Sequence, residues 1–425
     1  MKFSRRDFLR TAVGSSALAV LEGVTGWPSR AAFAQTGTCQ LPDPAQSGIE
    51  HIIVVMMENR SFDHLFGWMP NGDGKQAGLT YYDSLGVPHQ THALAPDYTG
   101  CPHPVPDHSY SGGRVEYDNG QMDGFMRAGK NDDYCIGYYV EQDELFYSAL
   151  ARNYTTLDRY FCSIIASTFP NRLFAHAAQT DRLSNTAALA TMPTIWDRLA
   201  AAGVSGRYYF SNLPFLGLWG TKYLGISRSY AQFLADAATG TLPAVSFIDP
   251  WYTTTDDGTG NDDHPHADIR RGDAFLARTF SAVANSAAWP KTVFVVNFDE
   301  WGGFFDHVAP PRATAPANSP DTDLLEGKAL LGFRVPTVVA SPFSRGAAAN
   351  PRVVGSSTGA AFDHTSVLKL IEWRWNLAPL TARDASSDIQ NLACALDFTA
   401  PDASVPALPQ PIAPPPAPCF APSLS

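Results

Sequence analysis

Residues 52–57, IIVVMM, form an unbroken apolar run that stops abruptly at Glu58, Asn59 and Arg60. A run this short, rich in β-branched residues and bounded by polar ones, reads as a strand buried on both faces. In an open α/β sheet, chemistry lies just beyond the carboxyl ends of such strands, where loops converge on the crevice at which strand order reverses. Glu58 and Asn59 stand at that position. A carboxylate and an amide oxygen side by side are hard donors suited to a divalent cation, although the same pair also serves to cap a following turn.

The arrangement recurs at residues 292–298, TVFVVNF, a second buried strand that ends in Asp299-Glu300-Trp301-Gly302-Gly303, followed by Asp306 and His307. Further strands are read at residues 207–210, 244–248 and 335–340. Helices are read at 141–154, at 191–202 with Pro193 in the first turn, at 269–288 and at 363–377. This alternation predicts one large α/β domain layered helix–sheet–helix. Residues 71–133, rich in Gly, Pro and His, show almost no apolar periodicity and read as a long loop, a feature that in compact domains usually serves function. Residues 212–220, NLPFLGLWG, read as an apolar loop that belongs either to the core or to a lipid-facing surface.

The chain begins with an address. SRRDFLR at residues 4–10 is a twin-arginine pattern, followed by a weakly apolar segment and the small-residue site Ala32-Phe33-Ala34. The segment is too short, and too interrupted by Glu22 and Gly23, to span a membrane. The expected organisation is a twin-arginine signal peptide over 1–34, a catalytic domain over 35–400 and a proline-rich tail over 401–425, pinned by Cys419. Export in the folded state by the twin-arginine machinery, to the periplasm or the medium, is the corresponding expectation for location. Lys2, Arg5, Arg6, Arg10 and Arg30 outweigh Asp7 and Glu22 in the leader, so the formal charge of −11 becomes −14 once it is removed. So acidic a chain is no partner for nucleic acid and is repelled by an anionic membrane, whereas a zwitterionic surface admits transient contact. The six cysteines, Cys39, Cys101, Cys135, Cys162, Cys394 and Cys419, have no zinc-knuckle spacing. In an oxidising compartment they predict disulfides, with fifteen pairings left open.

Three elements carry chemistry. Glu58-Asn59 and Asp299-Glu300, each at a strand end, are placed to hold one cation across a shared crevice. Thr168, before Phe169-Pro170-Asn171-Arg172, reads as the start of a helix. Free N–H groups and the positive dipole end there favour both an ionised hydroxyl and a bound phosphate, though capping alone also accounts for a threonine at that point. His108, His264 and His307 lie in loops among Asp and Gly, where a histidine positions a phosphoryl oxygen or protonates a leaving group. Asp263 is placed to orient the His264 ring. His64, His266 and His364 stay unassigned, between a structural role and one of supporting the residues at the site.

These stretches resemble the phosphoesterases that comprise bacterial phospholipases C of the non-haemolytic type and the acid phosphatase A enzymes. The resemblance rests on IEHIIVVMMENRSFDHLFG, STFPNRLF, FDEWGGFFDHVAPP, RVPTVVASPFSR and FDHTSVLKLIEWRW and spans about residues 48 to 398. It implies an alkaline-phosphatase-like α/β fold with one divalent metal ion, which the oxygen donors leave open as calcium, magnesium, manganese or zinc. It implies Glu58, Asn59, Asp299 and Glu300 as metal ligands, Thr168 as a nucleophile that also touches the metal, and His108 and His264 as the histidines around the phosphate, with His307 a further catalytic candidate. The expected reaction is hydrolysis of phosphatidylcholine-type lipids to diacylglycerol and phosphocholine through a phosphothreonine. The alternatives are an acid phosphatase of broad specificity and an exported protein that binds phosphate esters without turnover. Threonine at 168 is more like the phospholipase branch, while the β-rich C-terminal domains of longer members have no counterpart after Phe398. Trp68, Tyr110 and Trp301 are the aromatic candidates for cradling a choline head group.

Overall fold

The computed structural model describes residues 39–252 and 258–419. The expected leader lies outside them. The centre is an eight-stranded sheet of β1 (His51–Met57), β2 (Thr155–Leu157), β3 (Gly206–Phe210), β4 (Ser227–Ser229), β5 (Val245–Asp249), β6 (Thr292–Phe298), β7 (Val338–Ala340) and β8 (Arg352–Val354), in the spatial order 8-2-7-6-1-5-3-4. All run parallel except β7, which pairs antiparallel with both β6 and β2. β1 and β6 are the paired central strands and are buried almost throughout, which is why their sequences are continuous apolar runs rather than alternating ones.

Helices cover both faces. α3 (Leu145–Asn153), α7 (Ile269–Ala284) and α6 (Tyr230–Thr239) pack in series as one layer, and α8 (His364–Trp375), α4 (Thr168–Ala177) and α5 (Ile195–Ala201) as another, which gives the three-layer α/β architecture. Two shorter helices, α1 (Phe62–Phe66) and α2 (Tyr110–Tyr117), stand in the connections after β1.

Several boundaries differ from the reading of the sequence. Pro193 precedes α5, whose N-cap is Thr194 in a capping box with Asp197. α7 stops at Ala284. The stretch read as loop over 71–133 contains α2, a helix whose Ser-Gly-Gly start hides its periodicity. Strands β2, β4 and β8, each of three residues, give too little alternation to register and were not read, and neither was the ten-residue helix α6.

The cysteines form two disulfides, Cys39–Cys394 and Cys101–Cys419, while Cys135 and Cys162 are buried thiols, so two of the six do not join the expected framework. The proline-rich tail lies extended along the domain. The Asp402 backbone N–H donates to Pro342 O (2.8 Å), Trp289 Nε1 donates to Ala403 O (2.9 Å), and an Arg271 Nη donates to Pro414 O (2.8 Å) before Cys419 closes its bond.

Candidate active site

The register of the central strands builds the site. Met57 pairs with Phe298, so the residues that follow each strand emerge side by side. The ladder continues past the strands: Asp299 N–H donates to Met57 O (3.0 Å), Asn59 N–H to Asp299 Oδ1 (3.1 Å) and Arg60 N–H to Glu300 O (3.1 Å). Asn59 takes a left-handed φ of 59°, and Gly302 passes so close that a Cβ there would stand 2.1 Å from Asn59 O. Only glycine fits this approach. The Trp301-Gly302-Gly303 turn is thus what brings Glu300 back toward Asn59.

Helix α4 delivers the third element. Thr168 is its first residue, one position past the N-cap Ser167, whose side chain makes no capping bond. Asn171 fixes the approach to the helix: its Oδ1 accepts from Ser163 N (2.9 Å) and Ile164 N (3.2 Å), and its Nδ2 donates to Ala166 O (2.7 Å). Arg172, one turn on, fixes the helix to the sheet. Its Nε donates to Asp299 Oδ2 (2.9 Å) and one Nη to Asp249 Oδ1 (3.0 Å), while the other reaches Met56 O and Met57 O (3.3 Å each) and lies 3.5 Å from Glu58 Oε1. One buried guanidinium therefore joins the ends of β1, β5 and β6 to the helix that carries Thr168. The sequence reading took Arg172 only as part of a helix start, and Asp249 only as a strand end. The cue was present in PNR after a strand–turn, but nothing local says that an arginine will be buried.

Glu58, Thr168, Arg172 and His264 line one cleft of about 630 Å³, together with Phe169, Asn185, Tyr252 and the segment Leu213, Pro214, Phe215, Gly217 and Leu218. The cleft is polar on one side and apolar on the other. The residues read as an apolar loop thus divide: Phe215, Leu216 and Trp219 are buried, and Leu213 is exposed at the cleft wall. The Thr168 hydroxyl has no hydrogen-bond partner among the described residues.

Burial pushes the carboxyl groups of Glu58 and Glu300 well above their usual range, and the neighbouring Asp299 adds to both shifts. Asn59 Oδ1 and Glu300 Oε1 are buried acceptors with no donor. Glu58 and Asp299 share one arginine, Glu300 has none among the described residues, and with the orphaned oxygens of Asn59 and Glu300 they make a donor set that a hard divalent cation fits. The tighter geometric groups lie elsewhere among the described residues. Ligand atoms within 4.8 Å of one another occur in Asp63–Asp306–His307 and in His103–Asp132–Asp133. In the first group Arg334 already supplies the positive charge, its Nε donating to Asp306 (3.0 Å) and an Nη to Asp63 (3.1 Å).

The histidines separate. His108 Nδ1 donates to Pro106 O (2.8 Å), which directs Nε2 to Asn59 Nδ2 (3.3 Å) and to within 3.8 Å of Glu300 Oε1. The His264 ring lies across from it, 6.1 Å between centroids, with Nδ1 on Pro265 O. Burial, and secondly the adjacent His108, push His264 down to about 3, so its resting form is neutral. Asp263 does not orient that ring. Its carboxylate is buried against Gly272 with no hydrogen bond of its own, and burial drives it well above its usual range. His307 does not belong to the Asn59–His108–Glu300 group either: Nδ1 bonds Asp63 Oδ2 (2.5 Å) and Nε2 bonds Asp73 Oδ1 (3.1 Å). Trp301 is fully buried with Nε1 donating to Glu116 (2.7 Å), Tyr110 is held by Arg114 and Asp321, and Trp68 does not line the cleft. The cleft's aromatic residues are instead Phe169, Phe215 and Tyr252.

The sequence agrees with a known family. The model of the phosphoesterase family matches residues 49–378, and the chain belongs to that family. It is 30% identical to phospholipase C A of Mycobacterium tuberculosis, over 96% of this chain and 88% of that protein. It is 31% identical to non-specific phospholipase C6 of Arabidopsis thaliana, over 83% and 73%, and 30% identical to the non-hemolytic phospholipase C of Pseudomonas aeruginosa, of which it spans 60%. Similar solved structures include an alkaline phosphatase superfamily protein from Vibrio parahaemolyticus (10% identity, TM-score 0.38, 81% of this chain and 71% of that one). Another is the phosphonate monoester hydrolase of Agrobacterium radiobacter (11% identity, TM-score 0.38, 83% and 78%). The family assignment rests on the sequence matches, and it makes the protein a phosphoric ester hydrolase.

Arg172→Met removes the charge at similar volume and leaves Glu58, Asp249 and Asp299 facing one another in the interior. The expected cost is about 3–5 kcal/mol of unfolding free energy, read from urea denaturation.

His307 generates a pH effect of definite sign. Burial opposes its protonation, but Asp63 and Asp73 prevail and raise it to about 9. Its contribution to stability is then complete below the unfolded value of about 6.5 and disappears as pH rises through about 9. The gap in melting temperature between the wild type and His307→Gln should be widest near pH 6 and narrow on the way to pH 10.

Proposed function

We propose that the protein is a metal-dependent phospholipase C that cleaves phosphatidylcholine-type lipids to diacylglycerol and phosphocholine, with Thr168 as nucleophile. The observation that carries the reading is the two-sided cleft. Thr168 opens helix α4 on its polar side, and an apolar wall from Leu213 to Leu218 faces the same space. A substrate with a phosphodiester next to a diacylglycerol has that polarity, whereas a small polar monoester gains nothing from the wall. The naming of the relatives as phospholipases C supports the same substrate class.

Glu58, Asn59, Asp299 and Glu300 would hold the cation, with Thr168 beside it. When bound, such an ion lowers the pKa of a hydroxyl and offsets charge on phosphoryl oxygens. The remaining work falls to the chain. The α4 N-terminus presents backbone N–H groups and the positive end of its dipole to a phosphate held against Thr168. The Thr168 hydroxyl gives up its proton to solvent and its oxygen attacks phosphorus, the bond to the diacylglycerol oxygen breaks, and phosphocholine remains on the threonine. His264, lining the cleft, supplies the proton to the departing oxygen. Being neutral at rest, it must first take that proton up, which a phosphate charge beside the ring favours. His108, whose Nε2 accepts from Asn59 Nδ2 at rest, takes up a proton there and then donates that N–H to a phosphoryl oxygen. Water then releases phosphocholine from Thr168. Export by the twin-arginine machinery, with the metal loaded before translocation, completes the proposal.

Metal-replete protein given phosphatidylcholine and a simple phosphomonoester in parallel should release phosphocholine from the lipid. Thr168→Ala should lower that rate by about 10³-fold or more. Turnover of the monoester alone moves the protein to the phosphatase reading, binding without turnover of either to the non-catalytic one, and full activity of the variant excludes Thr168.

A further inference from the structure

From Val293 to Phe298 strand β6 is apolar except at Asn297, which is fully buried and stands opposite Met56 of β1. A polar side chain in a strand covered on both faces costs free energy unless it is hydrogen-bonded, so its partners matter. Asn297 Nδ2 donates to the Tyr160 hydroxyl (3.0 Å), that hydroxyl lies 3.3 Å from His364 Nδ1, and His364 Nε2 lies 2.7 Å from Asp299 O. Tyr160 and His364 are buried as well. A parallel bridge between Tyr160 and Phe362 sets the segment after β2 beside the start of α8, whose first residue is His364. Three bonds thus leave β6 at residue 297 and return to it at residue 299.

The two ends of this chain assign its protons. An amide N–H only donates, so the tyrosine oxygen accepts from Asn297 and its own hydrogen goes to His364 Nδ1; a carbonyl only accepts, so His364 Nε2 carries the ring hydrogen and donates it to Asp299 O. His364 is therefore a neutral donor of fixed tautomer. Its backbone is secured from the other side, because Asp363, the N-cap of α8, accepts from Thr365 N (2.8 Å), Ser163 Oγ (3.1 Å) and an Arg383 Nη (3.0 Å). The carbonyl that His364 holds belongs to the peptide joining two members of the cation donor set. Across that peptide the Glu300 N–H donates to Asp299 Oδ1 (2.7 Å). Since the peptide is planar, fixing its oxygen also fixes the direction of that N–H and the course of the chain into Glu300.

Resting on the cation-binding reading of Glu58, Asn59, Asp299 and Glu300, we infer that His364 is a positioning residue for the ion: with Tyr160 and Asn297 it locks the Asp299–Glu300 peptide so that both carboxylates meet one cation. Docking α8 on the sheet does not require this chain, since apolar side chains at 160, 297 and 364 would pack without desolvating polar groups. What the chain adds is rigidity at one carbonyl. Outer bonds of this kind orient the ligands of a metal, and their loss weakens binding by roughly 10–100-fold.

The test reads ion affinity rather than turnover. Full-length wild type, His364→Leu, His364→Gln, Tyr160→Phe and Glu300→Ala are stripped of metal and titrated calorimetrically with calcium, magnesium, manganese and zinc ions, and the melting temperature of each metal-free protein separates loss of the ion from loss of the fold. Glutamine presents an amide N–H near the place of His364 Nε2, whereas leucine has no donor. The cation preferred by the wild type should bind about tenfold or more weakly to His364→Leu, about fivefold more weakly to Tyr160→Phe, and within about threefold of normal to His364→Gln. Unchanged affinity in His364→Leu overturns the inference, as does unchanged affinity in Tyr160→Phe where the leucine variant does not fold. Equal weakening by leucine and glutamine overturns it too, because ring packing and not the donated hydrogen is then what the ion needs. Wild type that binds none of the four ions, or binds one as tightly as Glu300→Ala does, removes the metal reading itself and the inference with it.

Discussion

The guanidinium of Arg172 is the point on which the site depends. Each strand end it touches contributes a carboxylate that would repel the other two in a low-dielectric interior, and Glu58 and Asp249 are both pushed upward by burial. Arg172 gathers all three by donating in several directions from one rigid plane, a task for which lysine lacks the geometry. Because it stands one turn after Thr168, the bond that holds the carboxylates is also the bond that sets the height of Thr168 above the sheet. Orphaned acceptors remain on Asn59 and Glu300, so the arginine does not complete the neutralisation, and the site retains room for one more positive charge.

How much of this was legible in the sequence follows from what is local and what is not. β1 and β6 could be read because strands buried on both faces are apolar without interruption, and the residues that end them had to emerge at the crevice. The meeting of Glu58-Asn59 with Asp299-Glu300 was read from that logic and from family resemblance. The mutual placement of the other groups was not. Asp263 looked like a partner for His264 because the two are adjacent, but a left-handed φ of 72° at Asp263 and the proximity of Gly272 turn its carboxylate inward. His307 looked available because it follows a Gly-rich turn, yet Asp63 and Asp73, far away in sequence, take both its nitrogens. Trp301 looked like a head-group cradle and is instead packed behind the glycine turn, where it supports the metal-ligand candidates from beneath.

The apolar loop illustrates the opposite case, in which two readings of one stretch both apply. Phe215, Leu216 and Trp219 close the core beside His176 and Phe247, while Leu213, Pro214 and Leu218 turn toward the cleft. A 3₁₀ turn at Phe215–Trp219 makes this division possible by presenting side chains in several directions within five residues. Sequence hydrophobicity alone records only that the stretch is apolar. The fold thereby supplies an apolar wall to the cleft.

The most direct test of the central claim is to trap the covalent step. Enzyme turning over phosphatidylcholine is quenched in acid, digested with trypsin and analysed by mass spectrometry for the peptide between Arg159 and Arg172. The account predicts a phosphocholine adduct on Thr168 that appears only with substrate. Rapid turnover with that peptide unmodified at every quench time, together with an adduct on another residue, would contradict it.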